Sequence, residues 1–189
     1  MRIVAGAARG RRLAVPPGDV VRPTADRVRE ALFSSLAPFV PGASVLDAFA
    51  GSGALGLESR SRGAARLTAV ERDPRVRAVL ARNVATVGLD AVDVVGGDVT
   101  RLLATGELPG APFDLALLDP PYAFDEDAVA RLLDDLVAVL AEGAVVVLER
   151  PAAAPEPRWP AALRAEEPRR YGSTRLHRAR LDADGGRAA

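Results

Sequence analysis

The 189-residue sequence contains no cysteine, no lysine and a single histidine, and only 4% of its residues are aromatic. Without cysteine the chain can form no disulfide, no thiolate metal site and no cysteine nucleophile. The lone His177 argues against histidine-based zinc or triad chemistry, so we expect no bound metal. No apolar run approaches the roughly 20 residues that cross a bilayer, and the first residues lack a signal-peptide apolar region. We therefore expect a cytoplasmic protein with no membrane partner.

Positive charge is concentrated at the two ends of the chain, although the net charge is zero and all 25 basic residues are arginines. Residues 1–29 hold seven arginines against two acids, and residues 158–180 show the same balance, a net of +5 each. Residues 30–157 carry a net charge of −9. Two basic ends can hold a polyanion such as RNA. Solvated surface charge is the alternative interpretation.

Apolar segments that alternate with amphipathic ones predict an α/β fold. The predicted strands are residues 43–49, 67–71, 91–95, 114–119 and 144–149, and the predicted helices between them are residues 54–62, 74–87, 99–104 and 126–140. Strands separated by helices form right-handed crossovers, which gives a mostly parallel sheet with helices on both faces. Two further predicted strands, residues 162–169 and 173–181, form a C-terminal antiparallel hairpin. The expected sheet therefore has seven strands.

Three segments are expected along the chain. Residues 1–22 alternate loosely around Gly6 and Gly10, which predicts a small β-hairpin extension. Residues 23–184 form the main domain, which begins with an amphipathic helix, and residues 185–189 form a frayed tail. We expect the protein to be a monomer.

The sequence Asp119-Pro120-Pro121-Tyr122 directly follows a predicted buried strand. Proline lacks the backbone N–H and the second proline restricts the first, so the strand must end in a stiff turn. A carboxylate, carbonyls without sheet partners and an aromatic ring are then held together. These groups suit a planar amine, because its N–H bonds need acceptors and its ring can stack. The four residues are the candidate catalytic site for chemistry on the exocyclic amine of a base; a purely structural turn is the alternative.

A glycine pattern, Gly51-Ser52-Gly53-Ala54-Leu55-Gly56, lies between a predicted strand and a predicted helix and suits a nucleotide cofactor. Glu71 ends the next strand, where a carboxylate can bind ribose hydroxyls. The pattern would serve NAD, FAD or S-adenosylmethionine. Asp47 can meet a cationic amino-acid group and Asp98 can accept from an adenine amine, and both favour S-adenosylmethionine.

Each of these acids also has a structural interpretation. Glu71 can be surface charge, Asp47 can cap the glycine loop, and Asp98 can cap a helix. The full set of predicted cofactor contacts is Asp47, Phe49, Ala50, Gly51, Ser52, Gly53, Glu71, Arg72, Asp98 and Val99.

The proline turn together with Asp47-Ala48-Phe49-Ala50-Gly51-Ser52-Gly53 resembles the class I, Rossmann-like S-adenosylmethionine-dependent amino-methyltransferases. The block Arg22-Pro23-Thr24-Ala25-Asp26-Arg27-Val28-Arg29-Glu30 is similar to the bacterial 16S ribosomal RNA guanine-N2 methyltransferases of the RsmD type. The resemblance runs from residue 2 to about residue 181. It implies methyl transfer to the exocyclic N2 of one guanine in 16S ribosomal RNA or an assembling small subunit, with S-adenosylhomocysteine as product.

The same resemblance implies further site residues. It places Thr24, Asp26 and Arg27 near the cofactor or the mouth of the site. RNA phosphates would be held by Arg9, Arg11, Arg12 and Arg29. The sequence departs from the family pattern at Arg60, where an apolar helix residue is usual, and at Ser173, where aspartate is common.

Three rival functions use the same residues differently. A methyltransferase could act on another RNA or DNA base amine. An NAD-dependent oxidoreductase would explain the glycine pattern and Glu71 but would leave the proline turn unused. An RNA-binding module with a vestigial cofactor site would leave Asp47, Glu71, Asp98 and Asp119 without a role.

Overall fold

The computed structural model describes residues 1–16, 23–106, 108–121 and 124–182, with only the backbone described for residues 23–27. The helices are α1 (Pro23–Ser35), α2 (Ala54–Ser61), α3 (Pro74–Val87), α4 (Val99–Thr105) and α5 (Glu126–Val137). The strands are β1 (Ser44–Asp47), β2 (Arg66–Glu71), β3 (Val92–Gly96), β4 (Phe113–Leu118), β5 (Leu140–Pro151), β6 (Leu163–Ala165), β7 (Arg169–Tyr171) and β8 (Thr174–Leu181). Within this part of the chain no helix combines the length and apolar character needed to cross a membrane.

The strands form one sheet whose first part is parallel, in the order β3-β2-β1-β4-β5. Strand β8 pairs with β5 in the antiparallel direction and carries both β6 and β7 on its other edge. The predicted α/β fold with a mostly parallel sheet and antiparallel C-terminal strands is confirmed.

The strand count differs from the prediction: in the described part of the chain the sheet has eight strands, not seven. The segment predicted as one strand at 162–169 forms β6 and β7, with Pro168 between them. Proline has no N–H to donate to a neighbouring strand, so pairing with β8 stops before Pro168 and resumes after it. The antiparallel end is therefore a three-strand arrangement rather than a single hairpin.

Hydrophobic cores lie on both faces of the sheet. Successive residues of a strand point to opposite faces, so Val45 belongs to one core and Leu46 to the other. The first core is covered by α1, α2 and α3, and the second by α4 and α5. The parallel strands are thus buried on both sides, and the functional groups collect at their carboxyl ends.

The N-terminal segment packs into the first core instead of standing apart from it. Ile3, Ala8 and Leu13 are at most 4% exposed. Among the described residues, the strand pairing of this segment is one antiparallel bridge between Arg2 and Arg12, and the Ile3 N–H donates to the Arg11 carbonyl at 3.0 Å. The predicted hairpin is therefore a tight loop that is integrated with the domain. Residues 17–22 and the predicted tail, residues 185–189, lie outside the described part of the chain.

A buried carboxylate fastens this loop to α2. Glu58 is fully buried and accepts hydrogen bonds from the backbone N–H groups of Val4 at 2.7 Å and Ala5 at 3.0 Å. It also pairs with Arg62 at 2.7 Å and lies 3.8 Å from Arg29. Four positive or N–H groups thus converge on one side chain, and the loop's position depends on Glu58.

Close backbone contact at Gly6 adds a second constraint on the same loop. Gly6 has φ +83°, and a Cβ placed there would lie 1.7 Å from the Ser61 carbonyl oxygen. Any larger residue would push the loop away from α2. The loop and α2 are therefore in direct backbone contact.

Arg60, a departure from the family pattern, has a structural role in α2. Its guanidinium donates to the Asp90 carbonyl at 2.9 and 3.0 Å and to the Ala64 carbonyl. It thus joins the end of α2 to the loop before β3, which an apolar residue at this position could not do.

Candidate active site

Two clefts lie side by side at the carboxyl ends of the parallel strands. The first cleft, about 450 Å³, is formed by the ends of β1, β2 and β3 and the start of α4. The second cleft, about 430 Å³, is formed by the ends of β4 and β5, α1, the start of α2 and the loop between β7 and β8. Asp119 and Pro121 line both clefts. The predicted catalytic turn is therefore the wall between them.

Two predicted acids line the first cleft. Glu71 accepts hydrogen bonds from the N–H groups of Gly51 at 3.1 Å and Asp73 at 2.7 Å. Asp98 caps α4 by accepting from the Thr100 N–H at 2.9 Å and the Thr100 hydroxyl at 2.6 Å. Both bonds use Oδ1 of Asp98, and the residue also lines the first cleft. The interpretation as a helix cap is correct for Asp98, and it does not exclude a ligand contact.

Neighbouring residues stabilise the ionised form of the Asp98 carboxyl group. Hydrogen bonds from Thr100, aided by the positive charge of Arg72, hold the pKa of Asp98 below its usual range. Arg72 and Val99, two of the predicted cofactor contacts, also line the first cleft. The carboxylate is therefore an acceptor at neutral pH.

A pair of aromatic rings forms another side of the first cleft. Phe49 and Phe124 make an edge-to-face contact with ring centroids 5.3 Å apart. The Phe124 N–H donates to the Pro121 carbonyl at 2.9 Å, which folds the chain back after the proline turn. The sequence prediction missed Phe124. Its signal is an aromatic residue between the proline turn and Asp125, the cap of α5.

Asp47 does not face the first cleft. It is 1% exposed and accepts a hydrogen bond from the Gly56 N–H at 2.8 Å, and burial is the main reason that its pKa is raised to about 7. A Cβ at Gly56 would lie 2.9 Å from Asp47 Oδ2 and similarly close to Leu67. The structure thus shows the loop-capping role of Asp47, and its direct contact with a cationic ligand group stays a prediction.

The glycine loop also lies beside the first cleft rather than among the residues that line it. The Ala50 N–H donates to the Val70 carbonyl at 2.9 Å, and the Ser52 carbonyl accepts from Asn83 at 2.8 Å. Gly53 packs so closely on Leu80 that a Cβ would approach it to 2.5 Å. The Gly51 N–H donates to the Glu71 carboxylate, and both Glu71 and Val70 line the cleft. The loop is therefore held by backbone hydrogen bonds to residues that line the cleft.

The second cleft contains a carboxylate that the sequence prediction missed. Glu149 stands near the end of β5 and faces the same space as Asp119, Pro120 and Thr174. Burial raises the pKa of Glu149, the nearby Asp119 charge raises it further, and a hydrogen bond with Thr174 opposes the rise. Asp119 is exposed to the open clefts. The surrounding protein nevertheless desolvates its carboxyl group in part, which raises the pKa of Asp119 as well. Two carboxyl groups therefore repel each other at this wall.

The four arginines predicted to hold RNA have different environments. Arg9 and Arg12 are exposed on the N-terminal loop, and exposed Arg11 donates to the Thr86 carbonyl at 2.6 Å. Arg29 is only 4% exposed and donates to the Arg2 carbonyl at 2.6 Å, close to Glu58. Arg29 also lines the second cleft, and its contact with an RNA phosphate stays a prediction.

Several predicted site residues lie outside the described part of the chain. Tyr122 is among them, and only the backbone is described for Thr24, Asp26 and Arg27, within α1. Their contacts stay predictions. Among the described residues, no group of three or more histidine, aspartate or glutamate side chains is arranged to hold a metal ion.

Sequence comparisons agree on one family. A family model described as conserved hypothetical protein 95 matches residues 1–180. A protein of Escherichia coli strain K12 named ribosomal RNA small subunit methyltransferase D is 46% identical over 122 residues, which are 65% of this chain and 60% of that protein. The protein of the same name from Haemophilus influenzae is 38% identical over 138 residues, 71% of this chain and 72% of the relative.

A solved structure supports the same fold. An Escherichia coli protein proposed to be a methyltransferase superposes with a TM-score of 0.85 at 36% identity. The superposition covers 97% of this chain and 99% of that one. The expected Rossmann-like class I methyltransferase fold is thereby confirmed.

Proposed function

The chain belongs to the family described as conserved hypothetical protein 95, the RsmD type, whose curated relatives include ribosomal RNA small subunit methyltransferase D, and on that premise we propose its activity. It transfers a methyl group from S-adenosylmethionine to the exocyclic N2 of a guanine in small-subunit (16S) ribosomal RNA. The chain aligns with 60% of the length of the Escherichia coli relative, so that relative's activity supports the proposal without deciding it.

The observation that carries the proposal is the wall shared by the two clefts. Methyl transfer needs a donor and an acceptor on either side of one reactive point. Asp119 and Pro121 border a cleft with nucleotide-binding features and a second cleft of similar size. A cofactor in the first cleft and a base in the second would meet at Asp119.

The first cleft fits S-adenosylmethionine by the chemistry of its lining. Glu71 at the end of β2 can accept from ribose hydroxyls, and Asp98 can accept from the adenine amine. Phe49 and Phe124 supply apolar surface beside them. The volume, about 450 Å³, falls in the range of small-molecule sites. When bound there, the cofactor supplies a methyl group on a positively charged sulfur.

The second cleft would hold the base and localise the lone pair of its amine. The N2 lone pair of guanine is delocalised into the ring, which makes N2 a poor nucleophile. The Asp119 carboxylate and the Pro120 carbonyl accept hydrogen bonds from the N2 hydrogens, and Tyr122 stacks on the ring. As N2 bonds to the methyl carbon it must lose one proton, and Asp119 is the nearest acceptor. Its raised pKa suits that task.

RNA would reach the site by presenting an unstacked base. A target guanine must leave its stack to enter the second cleft. Exposed Arg9, Arg11 and Arg12 on the N-terminal loop can hold phosphates of the flanking strand. The integrated loop would then act as part of the RNA-facing surface.

The direct test is a labelled-methyl assay with the full chain. We expect transfer of tritiated methyl groups to small-subunit ribosomal RNA or to small subunits from a strain lacking the modification. Nucleoside analysis should then show N2-methylguanosine. Label on another nucleoside, or no label on either substrate, would contradict the proposal.

A second prediction separates the two roles of Asp98. In Asp98→Asn the amide oxygen still caps α4, since asparagine and aspartate are equivalent caps. The amide nitrogen, which replaces the other carboxylate oxygen, donates hydrogen bonds instead of accepting them. We expect S-adenosylhomocysteine affinity to fall roughly 10-fold, while unfolding free energy changes by less than about 1 kcal/mol. Calorimetric titration and urea denaturation measure the two quantities.

The matched control is Asp125→Asn. Asp125 caps α5 by accepting from the Ala128 N–H at 2.7 Å and does not line the first cleft. Its replacement should leave cofactor affinity unchanged. Equal affinities for the two variants would remove Asp98 from the proposed cofactor site.

A further inference from the structure

Glu149 is placed to act with Asp119 on one bound base. Leu118 of β4 pairs in parallel register with Leu148 of β5. Asp119 and Glu149 are the next residues on these chains, and neighbouring strands lie about 4.8 Å apart. Residues at equivalent positions of parallel strands point to the same face, and both carboxyl groups do line the second cleft. The pair is therefore a built feature of this cleft.

The position of half-buried Glu149 beside Asp119 needs a reason. A carboxylate placed beside another carboxylate is unfavourable, because each charge raises the cost of the other. Arg150 lines the same cleft, but its guanidinium pairs with Glu126 of α5. A ligand that donates hydrogen bonds to both carboxyl groups would relieve the repulsion.

One edge of guanine carries hydrogen-bond donors that match the acceptors of the second cleft. Its N1 and N2 atoms carry three N–H bonds side by side, one on N1 and two on N2. Asp119 and the Pro120 carbonyl account for the two N2 hydrogens in the proposed function. The N1–H then needs a third acceptor in the same plane. Adenine presents no such donor, because its N1 carries a lone pair and no hydrogen.

We infer that Glu149 is the specificity residue for guanine, accepting the N1–H while Asp119 and the Pro120 carbonyl hold N2. This inference rests on the proposed function and narrows its substrate to bases with an N1–H beside an amine. A site built to accept a particular N–H rejects an analogue that lacks it much more strongly than an apolar pocket could. Glu149 contacts the base without taking part in bond formation.

The test uses an RNA whose target base is replaced by one that keeps the 2-amino group but lacks the N1–H and the O6 carbonyl. The methylated guanine is first mapped in wild-type reactions, and small-subunit RNA is then assembled by ligation with guanine or 2-aminopurine at that position. The 2-aminopurine base keeps the amine but has an acceptor at N1. Wild-type kcat/KM should be at least about 10-fold lower for 2-aminopurine.

The Glu149→Gln variant should change that preference. Its amide can donate to N1 of 2-aminopurine, so the ratio of kcat/KM for guanine to that for 2-aminopurine should fall at least about 10-fold relative to wild type. The ratio cancels any difference in the intrinsic reactivity of the two bases. Glu142→Gln, at an exposed position near the start of the same strand, is the control and should keep the wild-type ratio.

The outcomes separate the inference from the proposed function. No methylation of guanine RNA by the wild type would contradict the proposed function itself. Methylation of guanine with an unchanged ratio in Glu149→Gln would overturn only the role of Glu149. Equal wild-type turnover of guanine RNA and 2-aminopurine RNA would also overturn the role of Glu149. This comparison uses only the wild-type protein, so it does not depend on the folding of a variant.

Discussion

Replacing Asp119 with alanine should lower kcat for methyl transfer roughly 100- to 1,000-fold while S-adenosylhomocysteine still binds. Asp119 is on the wall between the two clefts, whereas Glu71 and Asp98, the proposed cofactor contacts, line the first cleft alone. Fixed charges aimed at the reacting atoms account for effects of this size in other enzymes. Single-turnover rates and calorimetric titration measure the two properties. Retained turnover would remove Asp119 from the mechanism.

The same variant should fold at least as well as the wild type. The Asp119 charge raises the pKa values of buried Asp47 and of Glu149, which means that it disfavours their ionised forms. Removing the charge relieves that repulsion. A lower midpoint of urea denaturation would show that lost activity reflects damage to the fold. Asp134→Ala, an exposed acid on α5, controls for general effects of removing a carboxylate.

Local sequence patterns predicted the parallel part of the sheet well. Residues 74–87 were predicted as a helix and form α3, which begins at Pro74 and ends before Gly88 with φ +62°. These signals are local, because proline suits the first turn and glycine suits the left-handed end. Strand β5 extends beyond its predicted range, 144–149, at both ends, because Leu140 pairs with Phe113 of β4 and residues 150–151 pair with β8. The local sequence does not reveal these partners.

The candidate site was predicted less completely than the fold. The proline turn and Asp98 could be identified because each stands at a strand end with its own local signal. Glu149 stands at a strand end as well, but its importance depends on its register beside Asp119. Arg29 looked like surface charge, since nothing near it in sequence shows that Glu58 is its neighbour. Contacts between distant residues are the information that a single sequence lacks.

Replacing Glu58 with alanine should destabilise the protein by about 3–5 kcal/mol. The carboxylate is fully buried and serves two backbone N–H groups, Arg62 and the buried Arg29. Removing one partner of a buried ion pair leaves charge and donors without the group that stabilised them, and costs of this size are typical. Such a loss is a large share of the free energy of unfolding of a typical domain, which is roughly 5–15 kcal/mol. Denaturant unfolding followed by circular dichroism measures it.

The part of the fold that Glu58→Ala destabilises can be tested as well as the loss of unfolding free energy. Because Glu58 holds Val4 and Ala5, the N-terminal loop should lose protection from hydrogen exchange before the sheet does. Glu30→Ala, at an exposed position of α1, should change stability by less than about 0.5 kcal/mol. If Glu58→Ala unfolds like this control, the buried network does not fasten the loop. If it unfolds early at the loop and also loses RNA affinity, the loop that carries Arg9, Arg11 and Arg12 belongs to the RNA-binding surface.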